Sequence, residues 1–231
     1  DYHGVVSCAL GWACWKTYLG RPESKHARLS AMAMLANGLS EVNRREETMG
    51  VREAVLAAEL RTGAPEECIL VSKSNLAISY SDLDRDRDAL DLRRDAYAGI
   101  TRIRGPRDAI TLLFANNLAV TLNKLGKQDE AKSFLRTPIL DARRALGDDH
   151  YLTLDLCYQL GDAHARIFNE SRDIEHLRVA VAMHEDVSKR TRQIFGVAHP
   201  STKRRQAHWE LLRSVLARAQ ISPHTVVLKF E

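Results

Sequence analysis

The chain has 231 residues, of which 45% are hydrophobic and 28% are charged, so it has enough length and apolar content to form a folded core. Its formal net charge of +4 suits an acidic partner but is far below that of a dedicated nucleic-acid-binding protein. The sequence has no run of 18 apolar residues, which excludes a membrane-spanning helix.

These properties predict a soluble intracellular protein. The chain starts at Asp1 rather than at a methionine, so we expect either a processed or a truncated start. The sequence therefore leaves the choice between the cytoplasm and an organelle interior open.

Helical periodicity runs through most of the chain. Residues 1–22, with Trp12 and Trp15, are expected to form an N-terminal capping segment, residues 23–220 a helical repeat array, and residues 221–231 a C-terminal tail. In chain order, we predict helices near residues 23–41, 45–61, 66–82, 87–102, 108–124, 128–145, 151–167, 172–195 and 201–219.

The links between these helices carry helix-end signals. Gly147 and Gly196 stand where the C-caps of two helices fall. His150 and His199 occupy matching positions in two links, and we interpret each imidazole as a hydrogen-bonding partner of the nearby backbone. The candidate N-cap residues are Asp108, Thr153, Ser201 and Thr202.

A repeat of about 42 residues organises the predicted helices. Asn117-Leu118-Ala119 recurs 42 residues earlier as Asn75-Leu76-Ala77 and 42 residues later as Gln159-Leu160-Gly161. Met34-Leu35-Ala36 and His208-Trp209-Glu210 stand at the same repeat position near the two ends of the array. The small third residue of the first four triplets leaves a notch, into which the partner helix of a hairpin can approach closely.

The repeat and its links resemble the kinesin-light-chain type of tetratricopeptide repeat. The residues that carry the resemblance are Leu146-Gly-Asp-Asp-His-Tyr-Leu-Thr153, Phe195-Gly-Val-Ala-His-Pro-Ser-Thr202 and Asn116-Asn-Leu-Ala119. The motifs also resemble a large group of such repeat proteins in unicellular algae. The resemblance implies an all-α fold, a right-handed superhelical solenoid of antiparallel helix hairpins with four to five repeats.

No residue pattern indicates catalysis, a cofactor or a metal site. The acidic stretch from Asp82 to Asp88 invites comparison with a calcium-binding loop, but Arg87 and Arg93 stand where such a loop needs Gly and Glu. Cys157 and His164 share one helix without the arrangement of a nucleophile and its base. We therefore predict that the chain is not an enzyme.

The resemblance also indicates where a partner would bind. In such arrays the first helix of each hairpin lines a concave groove, and the residue before the Leu-Ala pair often contacts a bound peptide. An Asn side chain suits this role because it both donates and accepts hydrogen bonds. The alternative is that these side chains simply tie helix to helix. The predicted partner-binding residues are Ser74, Asn75, Asn116, Asn117, Asn123, Lys124, Gln159, Arg205 and His208.

The sequence thus predicts a non-catalytic scaffold or adaptor that binds a peptide or protein on its concave face. The same prediction includes a fixed subunit of a larger complex. An RNA-binding helical repeat and a regulatory domain of an enzyme are the alternatives. A basic cluster within residues 189–205 is a second candidate surface for an acidic partner. Its members are Lys189, Arg190, Arg192, Lys203, Arg204 and Arg205.

Overall fold

The computed structural model describes residues 2–20, 26–221 and 228 of the chain. Over this part the protein is all-α, and its ten helices follow one another as sequential hairpins. They are α1 (Tyr2–Tyr18), α2 (His26–Glu41), α3 (Arg45–Thr62), α4 (Glu66–Asp82), α5 (Asp86–Arg104), α6 (Ala109–Lys124), α7 (Gln128–Leu146), α8 (Tyr151–Ser171), α9 (Ile174–Phe195) and α10 (Pro200–Ile221).

The predicted array of helix hairpins is confirmed, and the predicted bounds agree with these helices to within four residues. The largest differences lie in the fourth hairpin, where the repeat carries extra residues. There α8 and α9 have 21 and 22 residues, against 16 and 19 in α6 and α7. The additional residues therefore lengthen both helices of the hairpin rather than the link between them.

The helices divide into two compact units, residues 1–103 and 104–231. In the first unit α1 packs on α2, α2 on α3 and α3 on α4. Leu35, Leu39, Leu70 and Ile100 are among its buried apolar side chains. Because α4 and α5 approach closely, a Cβ added to Gly99 of α5 would come within 2.6 Å of the Leu70 side chain of α4.

The second unit packs α6 against α7 and α8, α8 against α9, and α9 against α10. Its last three helices enclose a hydrophobic cluster around Phe168 of α8, Leu177 of α9 and Leu212 of α10, all fully buried. Leu228, a residue of the predicted tail, joins this cluster. The Asn169 side chain donates to the Leu228 carbonyl at 2.7 Å and accepts from its N–H at 2.9 Å. The other residues from 222 to 231 lie outside the described part.

The notch residues of the repeat are buried as predicted. Ala36, Ala77 and Ala119 each have no exposed surface, and Gly161 is buried at the equivalent position. A small side chain at this position lets a neighbouring helix approach, which explains why the sequence returns to Ala or Gly there.

The helix ends follow the sequence signals in most cases. Asp108 caps α6, because its Oδ1 accepts from the Ile110 N–H at 2.8 Å. His150 and His199 each use Nδ1 to accept from a backbone N–H two residues later, at 3.2 Å in both cases, which confirms their predicted bond to the backbone. Gly147 and Gly196 terminate α7 and α9 with φ of 89° and 79°.

The prediction that Thr153, Ser201 and Thr202 serve as N-caps is wrong, because all three residues lie inside α8 or α10. The cap of α8 comes from His150 instead, and the Thr153 hydroxyl donates to the Gly147 carbonyl at 2.8 Å. The imidazole is long enough to reach back over the first turn, so it takes the position that a short hydroxyl or carboxylate usually fills.

Across the described part of the chain, no helix has both the length and the apolar content needed to cross a bilayer.

Candidate partner-binding site

A cavity of about 320 Å³ opens within the second unit, and we call it the second-unit pocket. Its lining comes from α6, α8 and α10, the helices that stand first in their repeats. The lining includes four basic side chains and two carboxylates, so the pocket favours an anionic group. The lining residues are Val120, Asn123, Lys124, Asp155, Tyr158, Gln159, Asp162, Arg166, Arg204 and Arg205.

One wall of the pocket is an ion pair between α8 and α10. The Arg205 guanidinium, 7% exposed, contacts the Asp155 carboxylate and donates to the Thr191 hydroxyl at 2.6 Å. Burial raises the pKa of Asp155, although the charges of Arg205 and Arg204 oppose that shift. Burial likewise raises the pKa of the neighbouring Tyr158, so its hydroxyl stays protonated. Arg205 therefore supports the pocket more than it offers charge to a partner.

Asn123 and Gln159 lie side by side in the pocket. The Asn123 amide donates to the Gln159 carbonyl at 2.9 Å and to its side-chain oxygen at 3.4 Å. Asn123 is only 2% exposed, so it ties α6 to α8, as the alternative interpretation of these side chains expected. Lys124 and Arg204, in contrast, line the pocket with exposed side chains.

The predicted residues of the first unit lie elsewhere. Asn75 lines a small cavity there, and its carbonyl accepts from the Arg52 guanidinium at 2.9 Å. Ser74 is 5% exposed, which leaves little surface for a partner. In the second unit, Asn116 and Asn117 are half-buried on α6 but do not line the second-unit pocket.

The basic cluster does not form one patch. Arg190 contacts Asp149 at 2.7 Å and Asp186 at 2.9 Å, so two carboxylates offset its charge. Arg205 is buried, and Arg204 belongs to the second-unit pocket. Lys189, Arg192 and Lys203 remain exposed. The positive charge available to a partner is thus divided between the pocket and separate surface positions.

A second group of polar side chains lies beside the pocket. His184 of α9 and His208 of α10 each place Nε2 3.2 Å from Asp162 Oδ1 of α8. His184 is 1% exposed, Asp162 16% and His208 22%. The rings of Tyr158 and His184 are nearly perpendicular, with centroids 4.5 Å apart, and the His208 ring centroid lies 5.4 Å from that of Tyr158.

The charge states of this group follow from its burial. Burial lowers the pKa of His184 and outweighs the opposing effect of Asp162, so the imidazole is neutral. Burial also opposes ionisation of Asp162, yet its interactions with His184 and His208 together leave its pKa below the usual value. An ionised carboxylate and two imidazoles therefore meet between α8, α9 and α10, with their ligand atoms within 4.8 Å of one another.

Of these three residues, only His208 was a predicted partner-binding residue, and none was a predicted metal ligand. Asp162, His184 and His208 are separated by 22 and 24 residues and come from three helices, so no short motif joins them. One signal was present, because Gly161 replaces the Ala found at the equivalent position of the three preceding repeats.

Comparisons with known proteins agree with this architecture. A family model described as tetratricopeptide repeat matches residues 111–151, which include nearly all of α6, all of α7 and the link to α8. A sequence search of curated proteins finds no match.

Solved structures extend the similarity to most of the chain. One similar structure is that of the TPR-like repeats of a kinesin light chain protein from Podosopora anserina. Its sequence is 19% identical to this chain, and the TM-score is 0.67 over 80% of this chain and 84% of that one. BtubC (BKLC) from P. vanneervenii is 14% identical, with a TM-score of 0.60 over 100% and 94%. A Rap protein complexed with Competence and Sporulation Factor is 15% identical, with a TM-score of 0.59 over 93% and 60%. At these identities the likeness shows the fold.

Proposed function

We propose that this chain is a non-catalytic scaffold for a protein or peptide partner, because residues 111–151 match a tetratricopeptide repeat and the fold is similar to that of kinesin light chain-like repeat proteins. The tetratricopeptide fold generally serves as a protein-binding scaffold and is typically non-catalytic. A Rap protein with a similar fold is complexed with Competence and Sporulation Factor, which supports the same role here. Fold alone does not assign a partner, so the site has to supply that argument.

The second-unit pocket is the observation that carries the proposal. It lies on the first helices of successive repeats, and its lining includes four of the predicted residues, Asn123, Lys124, Gln159 and Arg205. Lys124 and Arg204 provide exposed positive charge beside polar side chains that can pair with a peptide backbone. An acidic side chain or the C-terminal carboxylate of the partner fits this chemistry.

The test is affinity capture of the tagged chain from its own cells, followed by mass spectrometry and titration of the captured partner. We expect Lys124→Glu/Arg204→Glu to lose the partner, because both changes invert charge in the pocket lining. Arg136→Glu/Arg144→Glu is the matched control. It makes the same change in net charge at two exposed positions of α7 that do not line the pocket. Binding to the wild type should weaken as salt rises.

Three results would redirect the proposal. If the partner stays bound to the pocket variant, the pocket is not the binding site. The next variants would then invert the charge of Lys189, Arg192 and Lys203. If RNA is captured instead, with an affinity that falls steeply with salt, the RNA-binding alternative replaces the scaffold. If the purified chain turns over a substrate, the non-catalytic assignment is wrong.

A fixed place in a larger assembly is supported by a separate observation. Helix α1 exposes Val5 and Leu10 by 60% and 57%, and Leu19, just after the helix, is 53% exposed. Apolar side chains on one helix are commonly covered in a lasting complex. A fixed subunit should co-purify with its partners through a high-salt wash in constant ratio, whereas a transient adaptor should lose them.

A further inference from the structure

The Asp162–His184–His208 group has the ligand types and spacing of a metal centre. Its three ligand atoms, one carboxylate oxygen and two imidazole nitrogens, lie within 4.8 Å of one another. We propose that these three side chains bind one divalent transition-metal ion, of the Zn²⁺ class, between α8, α9 and α10. The inference does not depend on the proposed peptide binding.

The first support is that the three atoms are buried and unpaired. Within the described residues, Asp162 Oδ1, His184 Nε2 and His208 Nε2 have essentially no accessible surface, and none of them makes a contact that meets the geometric criteria of a hydrogen bond. The oxygen lies 3.2 Å from each nitrogen, but the alignment is not that of a hydrogen bond. Buried polar atoms are rarely left without a partner. A cation between them would satisfy all three atoms at once.

The second support is the spacing itself. Zn²⁺ binds imidazole nitrogen and carboxylate oxygen at about 2.1 Å, and an oxygen–nitrogen separation of 3.2 Å then corresponds to a ligand–metal–ligand angle of about 100°. That angle lies between those of tetrahedral and octahedral coordination. Two imidazoles with one carboxylate suit Zn²⁺ and its first-row neighbours better than Mg²⁺ or Ca²⁺, which prefer oxygen ligands throughout.

The third support is the glycine beside the ligands. A Cβ added to Gly161 would lie 2.7 Å from His184 Nε2 and 2.8 Å from Cδ2 of the same ring. The three preceding repeats have Ala36, Ala77 and Ala119 at this position. The fourth repeat thus gives up the methyl group at the notch, and the imidazole of His184 occupies the space next to Asp162.

The Tyr158 ring packs on both imidazoles and restricts their orientation. Three protein ligands leave a coordination position for water or for a group in the second-unit pocket, whose lining includes Asp162.

The experiment uses the whole chain after treatment with a chelator and dialysis. Calorimetric titration with ZnCl₂ should give one site, and Co²⁺ should give visible d–d bands without a thiolate charge-transfer band. Bound Zn²⁺ should raise the thermal unfolding midpoint, because the ion joins three helices. We expect Gly161→Ala and His208→Asn each to weaken Zn²⁺ affinity by about 100-fold or more, the first without removing any ligand.

The matched control is His164→Gln/His176→Gln. It removes the other close pair of histidines, whose Nδ1 atoms are 2.9 Å apart, and should keep the wild-type affinity. Absence of binding by the wild type overturns the proposal. Equal binding by wild type and His208→Asn, checked for folding by circular dichroism, overturns it as well. Loss of binding only in the control, or a thiolate band with Co²⁺, places the ion elsewhere and has the same consequence.

Discussion

The guanidinium of Arg205 is held by one carboxylate and one hydroxyl inside the second unit, and this arrangement makes Asp155 a sensitive position. Asp155→Asn keeps the size of the side chain but leaves the buried cation without a negative partner. We expect a loss of about 1.5–3 kcal/mol in the free energy of unfolding, measured by urea denaturation. The matched change Asp186→Asn removes a carboxylate that is 55% exposed and should cost less than about 1 kcal/mol. Equal losses in the two variants would contradict this account.

A second residue-scale prediction concerns acid stability. Burial, aided by the charges of His176, Lys132 and Arg136, lowers the pKa of His164 to about 4. The unfolded chain therefore takes up a proton at His164 near pH 6.5, before the folded protein does, and stability falls as the pH drops from 6.5 towards 4. His164→Gln should make the fall between pH 7 and pH 5 less steep in thermal denaturation.

Measurement of the same two proteins at pH 8 gives the cost of the substitution itself, since the histidine is neutral in both states there. If wild type and His164→Gln lose stability in parallel between pH 7 and pH 5, His164 is not the group responsible.

The residues around the second-unit pocket explain what sequence could and could not predict of the site. The repeat register, together with the groove that the resemblance implies, selected Asn123, Lys124, Gln159 and Arg205, because equivalent positions of a repeat recur on one face. It did not reveal that Asn123 and Arg205 are turned inward, since burial depends on the particular neighbours in three dimensions. The contribution of Asp155, Tyr158 and Arg166 was missed for the same reason.

At the scale of elements, α1 and α2 cross at two glycines. A Cβ at Gly11 would lie 2.7 Å from Leu35 Cα, and a Cβ at Gly38 would lie 2.6 Å from Cys8 Cα. Backbone rather than a movable side chain is the obstacle in both cases, so the helices would have to separate. We expect Gly38→Ala to lower the free energy of unfolding by about 1–3 kcal/mol, despite the better helix propensity of alanine.

Gly50→Ala is the control for this crossing. Gly50 lies within α3, is exposed, and has no atom within 4 Å of an added Cβ. Alanine there should stabilise the protein by up to about 1 kcal/mol in the same urea titration. A stabilising effect of Gly38→Ala would mean that α1 and α2 do not cross so closely.

Helix positions were predictable from the sequence because each helix carries its own apolar period and its links carry Gly, Pro or His. The structure of the extra residues in the fourth repeat was not predictable in the same way. They show in the sequence as a spacing of 49 residues between Gln159 and His208, against 42 between Asn117 and Gln159, but whether they lengthen a helix or a loop is decided by packing. The longer α8 and α9 bury Phe168 and Leu177 together, which gives the insertion a structural role.

At the scale of the whole molecule, stability in a repeat array is approximately a sum of local terms, since each repeat contacts mainly its neighbours. Residues 1–103 and 104–231 form separate compact units, and the three tryptophans are divided between them. Trp12 and Trp15 lie on α1 and Trp209 lies on α10. Fluorescence can therefore follow the two units separately, with Trp209→Phe reporting on the first and Trp12→Phe/Trp15→Phe on the second.

The tryptophans of α1 and α10 test whether the two units unfold separately. Gly38→Ala should lower the urea midpoint reported by Trp12 and Trp15 more than that reported by Trp209, and Asp155→Asn should do the reverse. The reason is that Gly38→Ala introduces a clash within the first unit only, and Asp155→Asn removes an ion pair within the second unit only. Coincident shifts of both reporters would show one cooperative transition for the whole chain. In that case the local terms are coupled strongly enough that a partner bound at the second-unit pocket would stabilise the first unit equally.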